Sequence, residues 1–236
     1  MAELCIGDVD VLAARLRAEM ARLIRGPSTG RGLSLAVSGG SVATTFFPRW
    51  AAETTVDWGS TDVFWADERA VPPTDPESNY ALARSLWLDP ARVPAGHVHR
   101  MPADGPDLAA AARDYDAELR RVLGERPVVD LVLLGMGPDG HVASLFPGHA
   151  LLGETSRNVA AVVDSPKPPP RRLTLTLPVL TAARLVVIGA FGTSKAGIVR
   201  LAIEDAESRL PAALVARGAS RAVWLLDAAA AGQLTT

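Results

Sequence analysis

Residues 128–141 read VVDLVLLGMGPDGH, an apolar run that breaks abruptly into glycines, an aspartate and a histidine. A strand that is buried on both faces of a parallel sheet has this composition. The glycines allow the chain to turn sharply, so the polar residues come at the carboxyl end of the strand. The stretch therefore predicts a buried strand from Val128 to Leu134 that brings His141 to the edge of a sheet.

The same order of strand, turn and helix recurs along the chain. Apolar runs predict further strands at residues 33–37, 62–66, 172–177, 185–190 and 221–226. Helical periodicity predicts helices at residues 8–25, 80–88, 107–123 and 194–203, and Gly26 and Pro27 end the first of them. A further helix is predicted through Trp50 despite Pro48, and the polar residues 67–79 predict a loop. Strands that alternate with helices predict an α/β fold with a mainly parallel sheet covered on both faces. Because one sheet needs all these units, we expect a single domain over residues 1–236.

The composition is that of an ordinary folded protein and argues against several classes of function. Hydrophobic residues make up 48% and charged residues 21%, and the net charge of -2 offers no excess of cations for a nucleic-acid partner. The chain shows neither a basic and apolar leader nor 18 consecutive apolar residues, so we expect a cytoplasmic protein without membrane contact. Cys5 is the single cysteine and cannot form an internal disulfide.

A glycine turn, Ser38-Gly39-Gly40-Ser41, lies between the strand predicted at residues 33–37 and the helix predicted to pass through Trp50. Its glycines let backbone N–H groups approach an anion at the start of the helix, which favours a phosphate. The spacing fits neither the P-loop pattern GxxxxGK[ST] nor the dinucleotide pattern GxGxxG. Alone, such a turn is more often only a turn, so its meaning depends on its neighbours.

Charged residues follow other predicted strands. Asp67, Glu68 and Arg69 come directly after the strand at 62–66, and ligands of open α/β sheets bind beyond the carboxyl ends of strands. There a carboxylate can meet a sugar hydroxyl and a guanidinium a phosphate, although a solvated loop with one ion pair is the alternative. Arg172 and Lys195 are either exposed charges or members of the same phosphate clamp as Arg69.

His141 is the strongest candidate for a general base. It lies between glycines and an expected helix start, where the helix dipole disfavours the imidazolium and keeps the ring neutral. Asp139 is placed to orient the ring or the substrate, and a structural histidine is the alternative. The remaining histidines lack the spacing of metal ligands, so we expect no metal at His97, His99 or His149.

Together these motifs resemble the 6-phosphogluconolactonase family, part of the wider group that contains the glucosamine-6-phosphate isomerases. The resemblance runs from about Leu33 to Leu226, with SGGS at 38–41, WADERAVP at 65–72, ESNY at 77–80, GMGPDGHVASLFPG at 135–148, SPKPPPRRLTLTLP at 165–178 and the turn from Gly192 to Lys195. It implies a three-layer α/β/α fold with a mainly parallel Rossmann-like sheet, of the NagB/RpiA/CoA transferase-like type. It also implies hydrolysis of 6-phospho-D-glucono-1,5-lactone in the oxidative pentose phosphate pathway, without metal or organic cofactor.

The resemblance also assigns site residues. It implies that the glycine turn and the three cations surround the phosphate, while Asp67 and His141 face the sugar ring. The expected catalytic residues are His141, Asp67 and Asp139. The expected substrate-binding residues are Ser38, Gly39, Gly40, Ser41, Glu68, Arg69, Gly137, Arg172 and Lys195. The expected partner is a small sugar phosphate lactone, and the chain is expected to be a monomer or a small homo-oligomer.

Two features bear on the alternatives. Related sequences commonly continue SGGS with Thr-Pro, whereas Val42 and Ala43 follow here, so a hydroxyl contact to the phosphate is missing or comes from Thr44 or Thr45. The isomerases usually place Tyr where Arg69 stands and a glutamate after the histidine, which favours the lactonase. A serine hydrolase using Ser38, Ser41 or Ser144 lacks the GxSxG pattern, and a non-catalytic sugar-phosphate sensor on the same fold stays open.

Overall fold

The structure, a computed structural model of the 236-residue chain, describes residues 2–26 and 32–235. Within these ranges the chain forms ten strands, which are β1 (Glu3–Ile6), β2 (Ser34–Val37), β3 (Asp62–Trp65), β4 (Asp67–Arg69), β5 (Val98–His99), β6 (Leu131–Gly135), β7 (Val159–Val162), β8 (Arg172–Leu175), β9 (Leu185–Ala190) and β10 (Ala222–Leu226).

Seven of these strands form the main sheet, in the order β1-β10-β9-β6-β2-β3-β5. All six pairings between neighbours in this sheet are parallel. The side chains of β2, β9 and β10 are buried throughout, as expected for strands with both faces covered. The predicted mainly parallel sheet is therefore confirmed.

Helices connect and flank these strands in three layers, as predicted. Within the described ranges they are α1 (Val9–Arg25), α2 (Ser41–Ala51), α3 (Asn79–Ala83), α4 (Leu108–Leu123), α5 (Leu177–Ala182), α6 (Ala196–Glu204), α7 (Pro211–Gly218) and α8 (Ala228–Ala231). A π-helical segment, Arg84–Leu88, extends α3, so the helix predicted at 80–88 is confirmed with a widened last turn. Among the described helices, none has both the length and the apolar character that crossing a bilayer requires.

Helix α1 begins where the sequence predicts because Asp8 caps it. The Asp8 carboxylate accepts the backbone N–H groups of Asp10 and Val11, each at 3.0 Å, and so satisfies two donors that have no partner inside the helix. Gly26 follows the last helical residue. Pro27, the second residue predicted to end the helix, lies outside the described residues.

A second, antiparallel sheet, in the order β4-β8-β7, corrects two predictions. The strand predicted at residues 172–177 belongs to this small sheet and not to the main one, and the predicted loop at 67–79 begins with β4. The small sheet is attached to the end of β3, since the N–H of Leu175 donates to the carbonyl of Ala66 at 2.7 Å. Alternating side chains identify a strand, but its partner depends on backbone hydrogen bonds that every sequence can make.

The order of strands in the main sheet determines where a ligand can bind. From β2 the chain adds β3 and β5 on one side, and then β6, β9 and β10 on the other. The topological switch point therefore lies between β2 and β6, where the loops that leave the two carboxyl ends turn away from each other. The loop after β2 is the glycine turn at 38–41, and the loop after β6 contains His141.

An ion-pair cluster joins α1 to Arg221, the residue directly before β10. Glu19 on α1 is completely buried, and its carboxylate contacts Arg15 at 2.8 Å, Arg22 at 3.1 Å and Arg221 at 2.7 Å. Burial acts to raise the pKa of Glu19, but the hydrogen bonds from Arg221 and Arg15 outweigh it and lower the pKa. Glu19 is therefore a buried carboxylate that stays charged because three guanidinium groups surround it.

We expect Glu19→Ala to lower the free energy of unfolding by about 2–3 kcal/mol, because it removes the buried carboxylate that the three arginines share. Glu3, which also pairs with Arg15 and Arg221, is exposed and replaces only part of the lost charge. Urea unfolding followed by tryptophan fluorescence measures the change. The matched control is Glu125→Ala, since the Glu125 side chain is 90% exposed and its pair with Arg120 should contribute less than about 0.5 kcal/mol. Equal losses in the two variants would show that the Glu19 cluster has no special role.

Candidate active site

A cleft of about 170 Å³ opens at the carboxyl edge of the main sheet, beside the switch point. Ten of the twelve residues predicted for the site line it, namely Ser38, Gly39, Gly40, Ser41, Asp67, Arg69, Gly137, His141, Arg172 and Lys195. The described lining also includes residues that the sequence did not single out, which are Asn79, Gly135, Met136 and Ala143. Two larger clefts, of about 480 and 510 Å³, have no histidine among their described lining residues, and a third, of about 300 Å³, is lined by His99.

The imidazole of His141 is held by Asp139. The Nδ1 atom of His141 lies 2.5 Å from Oδ1 of Asp139, and the neutral tautomer that satisfies this contact carries its proton on Nδ1. Asp139 lies outside the cleft lining, behind the ring. Nε2 then keeps the lone pair of the neutral ring, so the carboxylate has the geometry of an orienting group for a base.

Burial lowers the pKa of His141, and this effect outweighs the opposing effect of the nearby Asp139 and Asp67 carboxylates. The ring packs against Phe146, with ring centroids 4.9 Å apart. A Cβ atom at Gly137 would lie 2.1 Å from the imidazole, so only glycine allows the ring to occupy this place. His141 is therefore neutral at pH 7.

The helix start predicted after His141 is wrong. The described residues 142–147 form turns, in which Val142 makes isolated bridges with Met136 and Leu145. Ala143 has a φ of 49°, in the left-handed region that side chains other than glycine rarely adopt. A helix dipole therefore does not keep the imidazole neutral, and the loss of solvent around the ring takes that role.

The carboxylate of Asp67 is buried and held from two sides. Ser144 Oγ donates to its Oδ2 at 2.7 Å, and Asn79 Nδ2 donates to its Oδ1 at 3.2 Å and to its backbone carbonyl at 2.8 Å. The N–H of Ser144 in turn donates to Thr174 Oγ1 on β8 at 3.2 Å. These contacts fasten the histidine loop to the small sheet, so Asp67 and His141 keep a fixed relation.

Asn79 is a site residue that sequence reasoning missed, although it belongs to the ESNY motif. Its side chain is buried, and its Oδ1 has no hydrogen-bond partner among the residues that the structure describes. A Cβ atom at Gly39 would lie 2.0 Å from this oxygen. Gly39 is therefore required because the Asn79 amide packs directly against the glycine turn.

The glycine turn presents the start of α2 to the cleft. Gly40 has a φ of 70°, which favours glycine, and the helix begins at Ser41. The first N–H groups of a helix have no acceptor inside it and attract anions. The Ser38 hydroxyl is used within the sheet, since it accepts the N–H of Gly135 at 3.0 Å and donates to the carbonyl of Leu133 at 3.2 Å.

The departure from Thr-Pro after the glycine turn has a packing consequence. Val42 and Ala43 are completely buried, and Val42 packs against Gly135 at the end of β6 and Gly189 near the end of β9. The hydroxyl of Thr44 donates to the carbonyl of Ser41 at 3.1 Å. Thr44 and Thr45 both lie outside the cleft lining, so backbone N–H groups and Ser41 are what this turn offers an anion.

Three cationic side chains converge on the cleft, and Asp67 is the one carboxylate among its described lining residues. Burial lowers the pKa of Arg172 and also that of Lys195, where the charge of Asp227 offsets part of the effect. Arg69 donates from Nη1 to a backbone carbonyl at 2.5 Å, and its buried Nε has no partner among the described residues. The cleft therefore has an excess of positive charge that favours an anionic ligand.

Glu68 does not take the substrate-binding position predicted for it. It is buried outside the cleft lining, where its carboxylate accepts the N–H groups of Arg69 at 2.7 Å, Asn79 at 2.8 Å and Tyr80 at 2.7 Å, and the Ser78 hydroxyl at 3.0 Å. Burial raises the pKa of Glu68 although these donors act against it. Glu68 thus fixes the start of α3, and through it Asn79, beside the cleft.

The other histidines lie in local polar contacts away from the cleft. His99 is buried and contacts Glu118 at 2.7 Å and Asp62 at 3.0 Å. Burial alone would lower the pKa of His99, but its contacts with Asp62 and Glu118 raise it. His97 also contacts Asp62, and His149 contacts Asp164. Among the described residues, no group of three or more His, Cys, Asp or Glu side chains has the geometry of a metal site.

The main sheet is parallel, and its switch point combines a glycine turn at a helix start with a histidine held by a carboxylate. These features define the class of α/β proteins whose ligand site lies at the carboxyl edge of the sheet. The profile of the family described as glucosamine-6-phosphate isomerases/6-phosphogluconolactonase matches residues 7–224. The chain belongs to this family.

Individual relatives agree with the family match. The chain is 43% identical over 236 residues to a 6-phosphogluconolactonase of Streptomyces coelicolor, covering 96% of this chain and 85% of the relative. It is 39% identical to a 6-phosphogluconolactonase of Mycobacterium bovis, covering 96% of each. The solved structure of 6-phosphogluconolactonase from Trypanosoma brucei superimposes with a TM-score of 0.87 at 28% identity, covering 100% of this chain and 99% of that one. A monomeric glucosamine-6-phosphate deaminase, 19% identical with a TM-score of 0.79, shares the fold.

Proposed function

We propose that this protein hydrolyses 6-phospho-D-glucono-1,5-lactone to 6-phospho-D-gluconate, a step of the oxidative pentose phosphate pathway. One observation carries the proposal. The neutral His141, with Asp139 on its Nδ1, shares a small cleft with Arg69, Arg172 and Lys195. A base beside an anion-binding surface is what opening a phosphorylated lactone with water requires. The names of the relatives support the same substrate.

The histidine acts on water. A lactone is an activated ester, so a positioned base and groups that stabilise negative charge are enough to open it. Nε2 of His141 takes a proton from the attacking water, the water oxygen adds to C1, and the ring oxygen leaves with a proton returned by the imidazolium. Asp139 holds the ring in the required tautomer and stabilises the imidazolium. The step invokes no metal and no organic cofactor.

The remaining residues bind and orient the substrate. The phosphate lies against the first N–H groups of α2, with Ser41 and the three cations around it, because both features attract an oxyanion. Asp67 accepts hydroxyl groups of the sugar, since Ser144 and Asn79 hold its carboxylate at the cleft. In this arrangement Gly39 and Gly137 line the cleft and make room for the side chains of Asn79 and His141.

The isomerase reaction of the wider family is the second candidate, and the cleft favours it less. The isomerases usually have a glutamate after the histidine that opens the ring and moves protons, whereas residues 142–147 contain no carboxylate. Asp67 is the one carboxylate among the described lining residues, so no second acid is present there for this step. A serine nucleophile is disfavoured because the hydroxyls of Ser38 and Ser144 are already bonded to a backbone carbonyl and to Asp67. A sensor without turnover would not need the orienting contact of Asp139.

A direct assay distinguishes these functions. Acid release from freshly prepared 6-phosphogluconolactone is followed at constant pH, with the spontaneous rate subtracted, beside ammonia release from glucosamine 6-phosphate. We expect rapid acid release that saturates with substrate, and ammonia release at the rate of the enzyme-free blank. Acid release at the spontaneous rate would refute the lactonase proposal, and ammonia release would favour the isomerase.

We further propose that residues 1–236 act as one domain in the cytoplasm, as a monomer or a small homo-oligomer, on a soluble small molecule and without nucleic acid or membrane. The cleft supports the single domain, since its lining comes from the main sheet and from the small sheet together. The net charge of -2 supports the absence of a nucleic-acid partner.

A further inference from the structure

The proline-rich segment 165–170 contacts the catalytic pair from outside the cleft. Lys167 Nζ lies 3.3 Å from Oδ2 of Asp139, while Oδ1 of the same carboxylate contacts His141 Nδ1. One carboxylate thus lies between a lysine and the candidate base. The side chains of Lys167 and Asp139 are 36% and 34% exposed, so this pair is partly screened by solvent.

The backbone holds Lys167 in this position. Its carbonyl accepts the Ser165 hydroxyl at 2.8 Å and a guanidinium N–H of Arg172 at 3.1 Å, and its own N–H donates to Ser165 Oγ at 3.2 Å. The N–H of Ser165 donates to the carbonyl of Pro170 at 3.0 Å and so closes the segment. Because Arg172 also lines the cleft, the segment is fastened to the same site that its lysine contacts.

We propose that Lys167 is a positioning residue for the general base: its ion pair with Asp139 holds the proline-rich segment against the Asp139–His141 pair and shares the negative charge that would otherwise act on the imidazole alone. The proposal rests on the proposed function only in treating His141 as the base. It extends that function because Lys167, which lies outside the cleft lining, then influences the protonation of the base His141.

Charges of both signs face His141. The carboxylates of Asp139 and Asp67 favour the imidazolium, whereas burial and Lys167 favour the neutral ring. Arg69, Arg172 and Lys195 line the same cleft and add positive charge. Removing the ammonium of Lys167 leaves Asp139 to act on His141 alone. This change favours the protonated ring.

The consequence for activity has a definite sign. A base works in its deprotonated form, so a change that favours the imidazolium moves the acid limb of the rate profile to higher pH. A lysine that only supported the fold would, when replaced, lower the rate by the same factor at every pH. The pH dependence therefore separates the proposed role from a purely structural one.

The experiment compares Lys167→Met with Lys167→Arg, which keeps a cation beside Asp139, and with Arg171→Ala, which removes a neighbouring exposed cation of the same loop. NMR titration of the imidazole signals, assigned with His141→Asn, reports the protonation of His141 without any substrate. In Lys167→Met we expect the titration midpoint to rise by about 0.5 pH unit. In the other two variants it should stay within about 0.2 unit of the starting protein.

The rate of lactone opening relative to the starting protein, measured from pH 4.5 to 7.5, should fall in Lys167→Met by up to about threefold below the titration midpoint of His141 and recover above it. An unchanged midpoint in Lys167→Met, or a rate loss equal at every pH, would overturn the proposal. Absence of lactonase activity in the starting protein would refute the proposed function instead, and the NMR titration would still decide the role of Lys167.

Discussion

His141→Ala is expected to lower kcat for lactone opening by about 10²–10⁴-fold, with little change in KM. The physical reason is that the imidazole acts on the attacking water in the transition state, whereas the cations and the glycine turn that hold the phosphate stay in place. Steady-state kinetics with freshly prepared lactone, after subtraction of the spontaneous rate, measure the effect.

His149→Ala is the matched control, because this histidine contacts Asp164 outside the cleft and should keep its full kcat. Full turnover in His141→Ala would remove this residue from the mechanism. A rise in KM without a fall in kcat would instead make the ring a binding group.

Arg69→Ala is expected to raise KM by about 10–100-fold while kcat changes by less than about threefold, because it removes a charge-assisted hydrogen-bond donor to the phosphate in both ground state and transition state. The KM of Arg69→Lys should lie between those of the starting protein and Arg69→Ala, since an ammonium replaces the charge but not the planar pair of donors. Inhibition by inorganic phosphate gives an independent measure of the same binding surface.

Arg171→Ala is the control for charge alone. The Arg171 side chain is exposed, donates to the carbonyl of Pro106 and lies outside the cleft lining, so its removal should leave KM within about twofold. An unchanged KM in Arg69→Ala would contradict the phosphate clamp. An equal rise in both variants would indicate long-range attraction of the substrate and not a specific contact.

Particular residues show how far sequence reasoning reached. The apolar run before Gly135 and the glycine turn after β2 predicted both the strands and the edge at which ligands bind, because burial and turn chemistry act over a few residues. The prediction for Glu68 failed because the residue type of a carboxylate between an aspartate and an arginine does not reveal the direction in which its side chain points. Its direction depends on four donors, three of which come from residues 78–80.

The sequence by itself determined a mainly parallel α/β sheet, an anion-binding turn and a histidine at a strand end, since each follows from the chemistry of a short stretch. The tertiary structure alone decided that Ser144 reaches Asp67 across 77 positions, that Asn79 packs on the glycine turn and that Lys167 reaches the carboxylate behind His141. The reason is that these contacts depend on strand order and on a second sheet. Backbone hydrogen bonds determine both the strand order and the second sheet. Nearly every residue type carries the same backbone donor and acceptor, so the sequence does not show which strands pair.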